Sequence, residues 1–178
     1  MARFGLLLVC GLAACGPFKY GDSSDTSEED DGLTDWEREW VDAHNAMRRQ
    51  TEPTPDPELP EMSWDPELAV IAAEWGEGCL WEHSMGPTGE NLAAFSGGAT
   101  PTTVVEAWYS EIADYDYDSN ECAPGKMCGH YTQVVWRDTI FVGCAEQACD
   151  DIEGAGFGGA YFVCEYSPPG NYVGERPY

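Results

Sequence analysis

The run Gly129–Thr139, GHYTQVVWRDT, constrains this chain most, because the other segments are naturally read as packing on it or converging beside it. Tyr131, Gln133, Val135 and Arg137 alternate with His130, Thr132, Val134 and Trp136, and β-branched and aromatic residues dominate. A period of two in such residues predicts a core strand. His130 then stands at the start of the strand, where a side chain can reach a cleft. Taken alone, a histidine at a strand end is more often a satisfied packing residue than a ligand.

The segments before it read as helices and loops. Thr34-Asp35-Trp36-Glu37 is a capping box, and Trp36, Trp40, Val41, His44 and Met47 follow at near-helical spacing, with Arg48 and Arg49 in the last turn. Four prolines between Thr51 and Pro60 predict an extended loop. Asp65-Pro66 starts a second helix whose buried stripe is Leu68, Ile71, Ala72 and Trp75. Cys79–Gly89 reads as a loop carrying His83, and Gly89–Leu92 leads into a short apolar segment ending at Phe95. Thr100-Pro101 restarts a helix with Val104, Val105, Trp108 and Ile112 inward and Glu111 on nearly the same face. After a loop from Ala113 to Met127, strands at Phe141–Ala145 and Gly159–Tyr166 flank an acidic, glycine-rich loop, Glu146–Gly158. Helices and strands do not alternate regularly, so the expected class is a mostly antiparallel α+β domain with three or four strands.

The amino terminus has the features of an export signal. Arg3 precedes an apolar run, Phe4–Leu12, too short to span a bilayer, and Leu12-Ala13-Ala14-Cys15 resembles the lipobox of bacterial lipoproteins. Cleavage there assigns 1–14 to the signal peptide and makes Cys15 the lipid-modified first residue; ordinary secretory cleavage is the alternative. Residues 15–32 hold six acids from Asp22 to Asp31 and almost nothing apolar, and read as a disordered acidic linker. The folded body is expected at 33–178.

Cys79, Cys122, Cys128, Cys144, Cys149 and Cys164 remain for the body. An even count in an exported domain points to three disulfides, and spacing alone leaves fifteen pairings open. No C-x2-C pair suggests zinc. The formal charge of -25, from 33 acids against 8 bases, repels a phosphate backbone, so nucleic acid is excluded as a partner.

Four strings then point to a family. HNAMR (His44–Arg48), GENL (Gly89–Leu92), GHYTQVVWRDT and YFVCEYSPPGNY (Tyr161–Tyr172) resemble the signature motifs of the CAP superfamily, the cysteine-rich secretory, antigen-5 and plant pathogenesis-related group 1 proteins. The likeness covers Leu33–Tyr178. It implies a disulfide-stabilised three-layer α-β-α sandwich with a small, mostly antiparallel sheet, and a cleft lined by His83, Glu90, Glu111 and His130. It implies the pairs Cys79–Cys149, Cys122–Cys128 and Cys144–Cys164, and structural roles for His44, Asn45, Arg48 and Asn91. Glu165 departs from the family, whose members usually carry a neutral or basic polar residue there. So does the lengthened acidic loop before Gly159. The end, PPGNYVGERPY, matches the pattern from which plants are thought to release a signalling peptide, although the preceding cleavage motif is altered.

Two imidazoles with adjacent carboxylates are donors for Zn2+ or another divalent cation, the carboxylates ligating, orienting an imidazole or holding a water. The expectation is a non-enzymatic extracytoplasmic module, anchored at the outer membrane or cell surface or secreted, that binds a metal and a lipid, sterol or protein partner. Tyr115 and Tyr117 offer apolar contacts. A metal-dependent hydrolase using Glu90 or Glu111 as general base is the first alternative, although no zincin or nucleophile-elbow motif is present. A surface lipoprotein in which the four residues form only a hydrogen-bonded cluster is the second.

Overall fold

A computed structural model describes residues 31–178; the expected signal peptide, Cys15 and the linker up to residue 30 lie outside the described residues. Gly32–Tyr178 form one compact unit.

Local signals set the first three helices. Helix α1 (Asp35–Arg49) begins at the Thr34 capping box, with the Glu37 amide donating to Thr34 Oγ1 and the Thr34 amide to Glu37 Oε2. Asp65 Oδ1 accepts from the first amides of α2 (Pro66–Gly76), and Thr100 Oγ1 caps α3 (Pro101–Tyr109). A 3-10 turn (Ser110–Asp114) follows α3, then a two-residue hairpin, β3 (Tyr115–Asp116) and β4 (Glu121–Cys122), inside what the sequence suggests is loop.

The principal sheet has the order β1-β5-β6-β2, built from β1 (Ser63–Trp64), β2 (Gly89–Phe95), β5 (Phe141–Ile152) and β6 (Phe157–Ser167). Only the short β1–β5 pair is parallel. Strand β6 is central and buried on both faces. Its alternate residues Tyr161 and Val163 pack with Ala72 of α2, Leu92 and Ile152, while Phe162, Cys164 and Tyr166 join Trp40, Val104, Trp108 and Tyr131 on the opposite side. Two cores on two faces of one sheet make the α-β-α sandwich. Three disulfides fasten it: Cys144–Cys164 across directly paired positions of β5 and β6, Cys79–Cys149 from the loop after α2 to β5, and Cys122–Cys128 closing the loop before α4.

Three expectations are corrected. The run 129–139 is not a strand: Gly129–Val134 is helix α4, and residues 135–140 turn into β5. Tyr131, Val134 and Val135, spaced i, i+3, i+4 and wholly buried, form its inward face. The same residues satisfy both periods over so short a run, and the tertiary setting selects between them. Glu146–Gly158 is mostly strand: β5 continues to Ile152, leaving a short connection before Phe157. Ile71 is 40% exposed and Val70 57%, so the inward stripe of α2 narrows to Leu68 and Ala72, with Trp75 and Gly76 near its end.

Gly143 explains how closely α2 lies on β5. A Cβ there would sit 2.2 Å from the Ala69 amide nitrogen and 2.5 Å from the Asp65 carbonyl oxygen, both backbone atoms. Gly143→Ala is therefore expected to lower unfolding free energy by about 2–3 kcal/mol, as overpacking does when only backbone can yield. Urea unfolding with an unchanged m-value checks it; a variant as stable as the parent would show that α2 shifts freely.

Candidate metal centre

His130 lies in the first turn of α4, a helix that its own sequence caps poorly. Cys128, the N-cap residue, makes no side-chain cap, and the free amides of His130 and Tyr131 donate instead to Glu111 Oε2, at 3.0 and 3.2 Å. Placing a carboxylate at a helix start also suits the helix dipole. The other oxygen, Glu111 Oε1, lies 2.6 Å from His130 Nδ1. One carboxylate thus both starts the helix and fixes its histidine. The ring stacks on buried Trp108, with centroids 6.2 Å apart and 18° between planes, and the His130 carbonyl accepts from Asn91 Nδ2 at 3.1 Å.

His83 repeats the arrangement from the opposite side. Its Nδ1 is 2.5 Å from Glu90 Oε1, and the Ser84 amide donates to both oxygens of the same carboxylate. Glu90 comes from β2 and its side chain is 6% exposed, whereas the His83 side chain is 54% exposed. The hydrogen bond to Glu90 raises the His83 pKa above its usual value against partial burial. Burial acts to raise the Glu90 pKa, but the hydrogen bonds from His83 and Ser84 prevail and lower it.

A carboxylate can only accept, so each Nδ1 carries the proton and the basic atom of each neutral ring is Nε2. His83 and His130 line one cleft of about 250 Å3 with Glu90, Asn91, Met127, Gly129 and Asn171. Glu111 stands behind His130 and is not in that lining. Among the described residues no three His, Cys, Asp or Glu side chains gather as a ready metal cluster. The donor chemistry fits a cation held by two imidazoles whose carboxylates orient them from behind. Those carboxylates are committed to the rings and to backbone amides, which leaves neither poised as a free base.

His44 is elsewhere. It is fully buried, its Nδ1 donates to the Trp40 carbonyl at 2.8 Å, and its Nε2 accepts from the Tyr166 hydroxyl at 2.9 Å. Asn91 Nδ2 lies 3.3 Å from the same hydroxyl, so a polar line joins α1, β6 and β2 to the back of the cleft. Burial pushes the His44 pKa down to about 4, and the ring stays neutral. Asn45 brackets Met62, donating to its carbonyl and accepting from its amide. Tyr115 and Tyr117 sit outside the cleft: Tyr115 packs on Tyr131, and Tyr117 stacks on Tyr178. A separate cleft of about 320 Å3 under the proline-rich loop is lined by Arg48, Arg49, Glu58 and Glu61 among others, but both arginines are already engaged.

Glu165 is the residue whose place the sequence does not disclose. It pairs directly with Glu90 across the β2–β6 ladder, is wholly buried, and accepts from Thr88 Oγ1 at 2.5 Å through Oε2, while Oε1 has no partner. Burial, opposed by the Thr88 hydrogen bond and reinforced by the Glu90 charge, pushes its pKa up to about 7. The hints in the sequence are an acid inside the apolar strand YFVCEYS and its departure from the neutral or basic residue usual at that place in the family.

The sandwich, its disulfides and this two-histidine cleft define a disulfide-bonded secretory-type domain. The cysteine-rich secretory protein family model matches residues 41–166, and the chain belongs to that family, CAP. It is 43% identical over 148 residues to the pathogenesis-related protein PR-1 type of Sambucus nigra, covering 79% of this chain and 81% of that one. Among solved structures it is similar to venom allergen-like protein 4 of Schistosoma mansoni, with a TM-score of 0.66 and 24% identity over 82% of this chain and 95% of that one. A crystal structure of NaASP2 with Zn2+ superposes with a TM-score of 0.60 and 25% identity, over 84% and 88% of the two chains. Three disulfides in a domain of this family mark an oxidising, extracellular setting.

Proposed function

We propose that the protein is a non-enzymatic extracytoplasmic CAP-domain module that binds a divalent cation, with His83 and His130 ligating through Nε2 while Glu90 and Glu111 hold the two rings. The observation that carries this reading is the pair of Nδ1–carboxylate hydrogen bonds, at 2.5 and 2.6 Å, behind two imidazoles that share one cleft. Such backing fixes the tautomer and raises the basicity of the ligating nitrogen. The Zn2+ carried by NaASP2 supports the choice of zinc as first probe. The hydrolase alternative is weaker here, because the oxygens of Glu90 and Glu111 are occupied by ring and backbone N–H groups. A lipid anchor at Cys15 would hold the module at a membrane surface, leaving the cleft free to meet a lipid, sterol or protein partner.

Calorimetric titration of Zn2+ at pH 7.5 tests the site. Micromolar or tighter binding is expected, lost in His83→Ala and in His130→Ala, and weakened about 10- to 100-fold in Glu111→Gln, which keeps the shape but not the charge behind His130. Heats no larger than dilution for the folded parent would overturn the metal reading and favour the hydrogen-bonded cluster.

A further inference from the structure

We propose that the cleft is selective for copper(I), with the Met127 thioether as third ligand beside His83 and His130. The inference rests on the metal reading above and adds the soft donor that decides which metal the cleft prefers. Met127 lines the same cleft as both histidines, yet is 66% exposed. It stands next to Cys128, whose disulfide to Cys122 closes the loop, and three residues before His130. The disulfide thus restrains the backbone next to Met127, while its exposed side chain is free to turn its sulfur toward the two rings.

Most other donors in the cleft, and Glu111 behind it, are already engaged. Glu90 and Glu111 face the Nδ1 atoms. Asn171 accepts from Thr132 Oγ1 and donates to the Gly129 carbonyl, and the Asn91 amide nitrogen serves the His130 carbonyl and Tyr166. Every cysteine among the described residues is in a disulfide, so no thiolate is available there. What remains among the lining side chains is two imidazole nitrogens, one thioether sulfur and the Asn91 amide oxygen, a hard donor that suits copper(I) poorly. Zinc sites are usually filled to four ligands by nitrogen, thiolate or carboxylate, whereas thioether donors favour copper(I).

The test is a competitive titration of copper(I) against bathocuproine disulfonate, under argon with ascorbate, on the disulfide-intact protein, Met127→Leu and Met85→Leu. Leucine keeps the apolar volume and removes the sulfur; Met85, 89% exposed and outside the cleft lining, is the control. One copper(I) per chain is expected, with affinity about tenfold lower in Met127→Leu, unchanged in Met85→Leu, and zinc affinity the same in all three. X-ray absorption of the copper complex should show a sulfur neighbour that Met127→Leu abolishes. Equal copper(I) affinity in Met127→Leu and parent, or an equal loss for zinc and copper(I), overturns the role of Met127. If the parent binds zinc but not copper(I), this inference fails and the metal site stands; if it binds neither, both fall.

Discussion

Replacing Arg48 with Met lowers the unfolding free energy by about 4 kcal/mol, because the guanidinium is a buried hub and not a surface charge. Arg48 is 3% exposed and, among the described residues, forms no ion pair with a carboxylate. Its Nε and Nη2 donate to the Pro60 carbonyl at 3.0 and 2.8 Å, and its Nη1 donates to the carbonyls of Val134 and Trp136, each at 2.9 Å. Burial lowers its pKa to about 10, so it remains a cation at neutral pH. Methionine fills much of the volume but leaves the Pro60 and Val134 carbonyls unpaired, the Trp136 carbonyl keeping only the Thr139 amide, and removes a cation from the end of α4, where the helix dipole favours one. Lysine recovers only part of the loss, since one ammonium cannot span Pro60 and the end of α4 together. Urea unfolding of the three proteins checks the order parent, Lys, Met. Loss of α4 anchoring should also weaken zinc binding, because Arg48 holds the end of the helix that Glu111 starts. A Met variant within about 1 kcal/mol of the parent would mean that water replaces the guanidinium at little cost.

Glu165 gives an effect of opposite sign. Its folded pKa, about 7, stands above the ordinary value of 4.5, so the folded protein binds a proton that the unfolded chain releases. Stability from this group is complete below pH 4.5 and is lost as pH rises through about 7, a loss on the order of 3 kcal/mol. His83, whose pKa is also raised, loses its contribution in the same direction as pH rises through its folded value. Glu90, whose pKa is lowered, acts oppositely, and its contribution is lost only as pH falls below 4.5. The groups facing Glu165 are Glu90 and the Thr88 hydroxyl, with His83 beyond Glu90. Glutamine can keep the Thr88 hydrogen bond and donate its amide toward Glu90. Glu165→Gln should therefore be about 2–3 kcal/mol more stable than the parent at pH 8 and close to it at pH 4.5, with a flatter profile between. A variant less stable than the parent at pH 8, with the slope unchanged, would show that Glu165 is ionised in the folded protein.

Helix starts were readable because their causes are local. Thr34, Asp65 and Thr100 each cap amides two or three residues away, and each helix begins where the sequence puts it. The tetrad came from motif likeness, which named His83, Glu90, Glu111 and His130 but not how they divide the work. Only the folded chain puts both carboxylates behind the rings. The expected strand at 129–139 failed for the complementary reason: α4 is capped by Glu111, 19 residues upstream, and no window along the chain contains that contact.

By itself, then, the sequence determined the three capped helices, the export-type cysteine count, the strongly acidic net charge, and the family through its motifs. Tertiary structure decided the conformation of 129–134, the extension of β5 to Ile152, the exposure of Ile71 and the burial of Glu165 against Glu90. The physical reason is range. Caps and turns are satisfied within a few residues, whereas strand register, burial and the partner of a distant carboxylate depend on which surfaces meet, and those surfaces exist only once the sheet has formed.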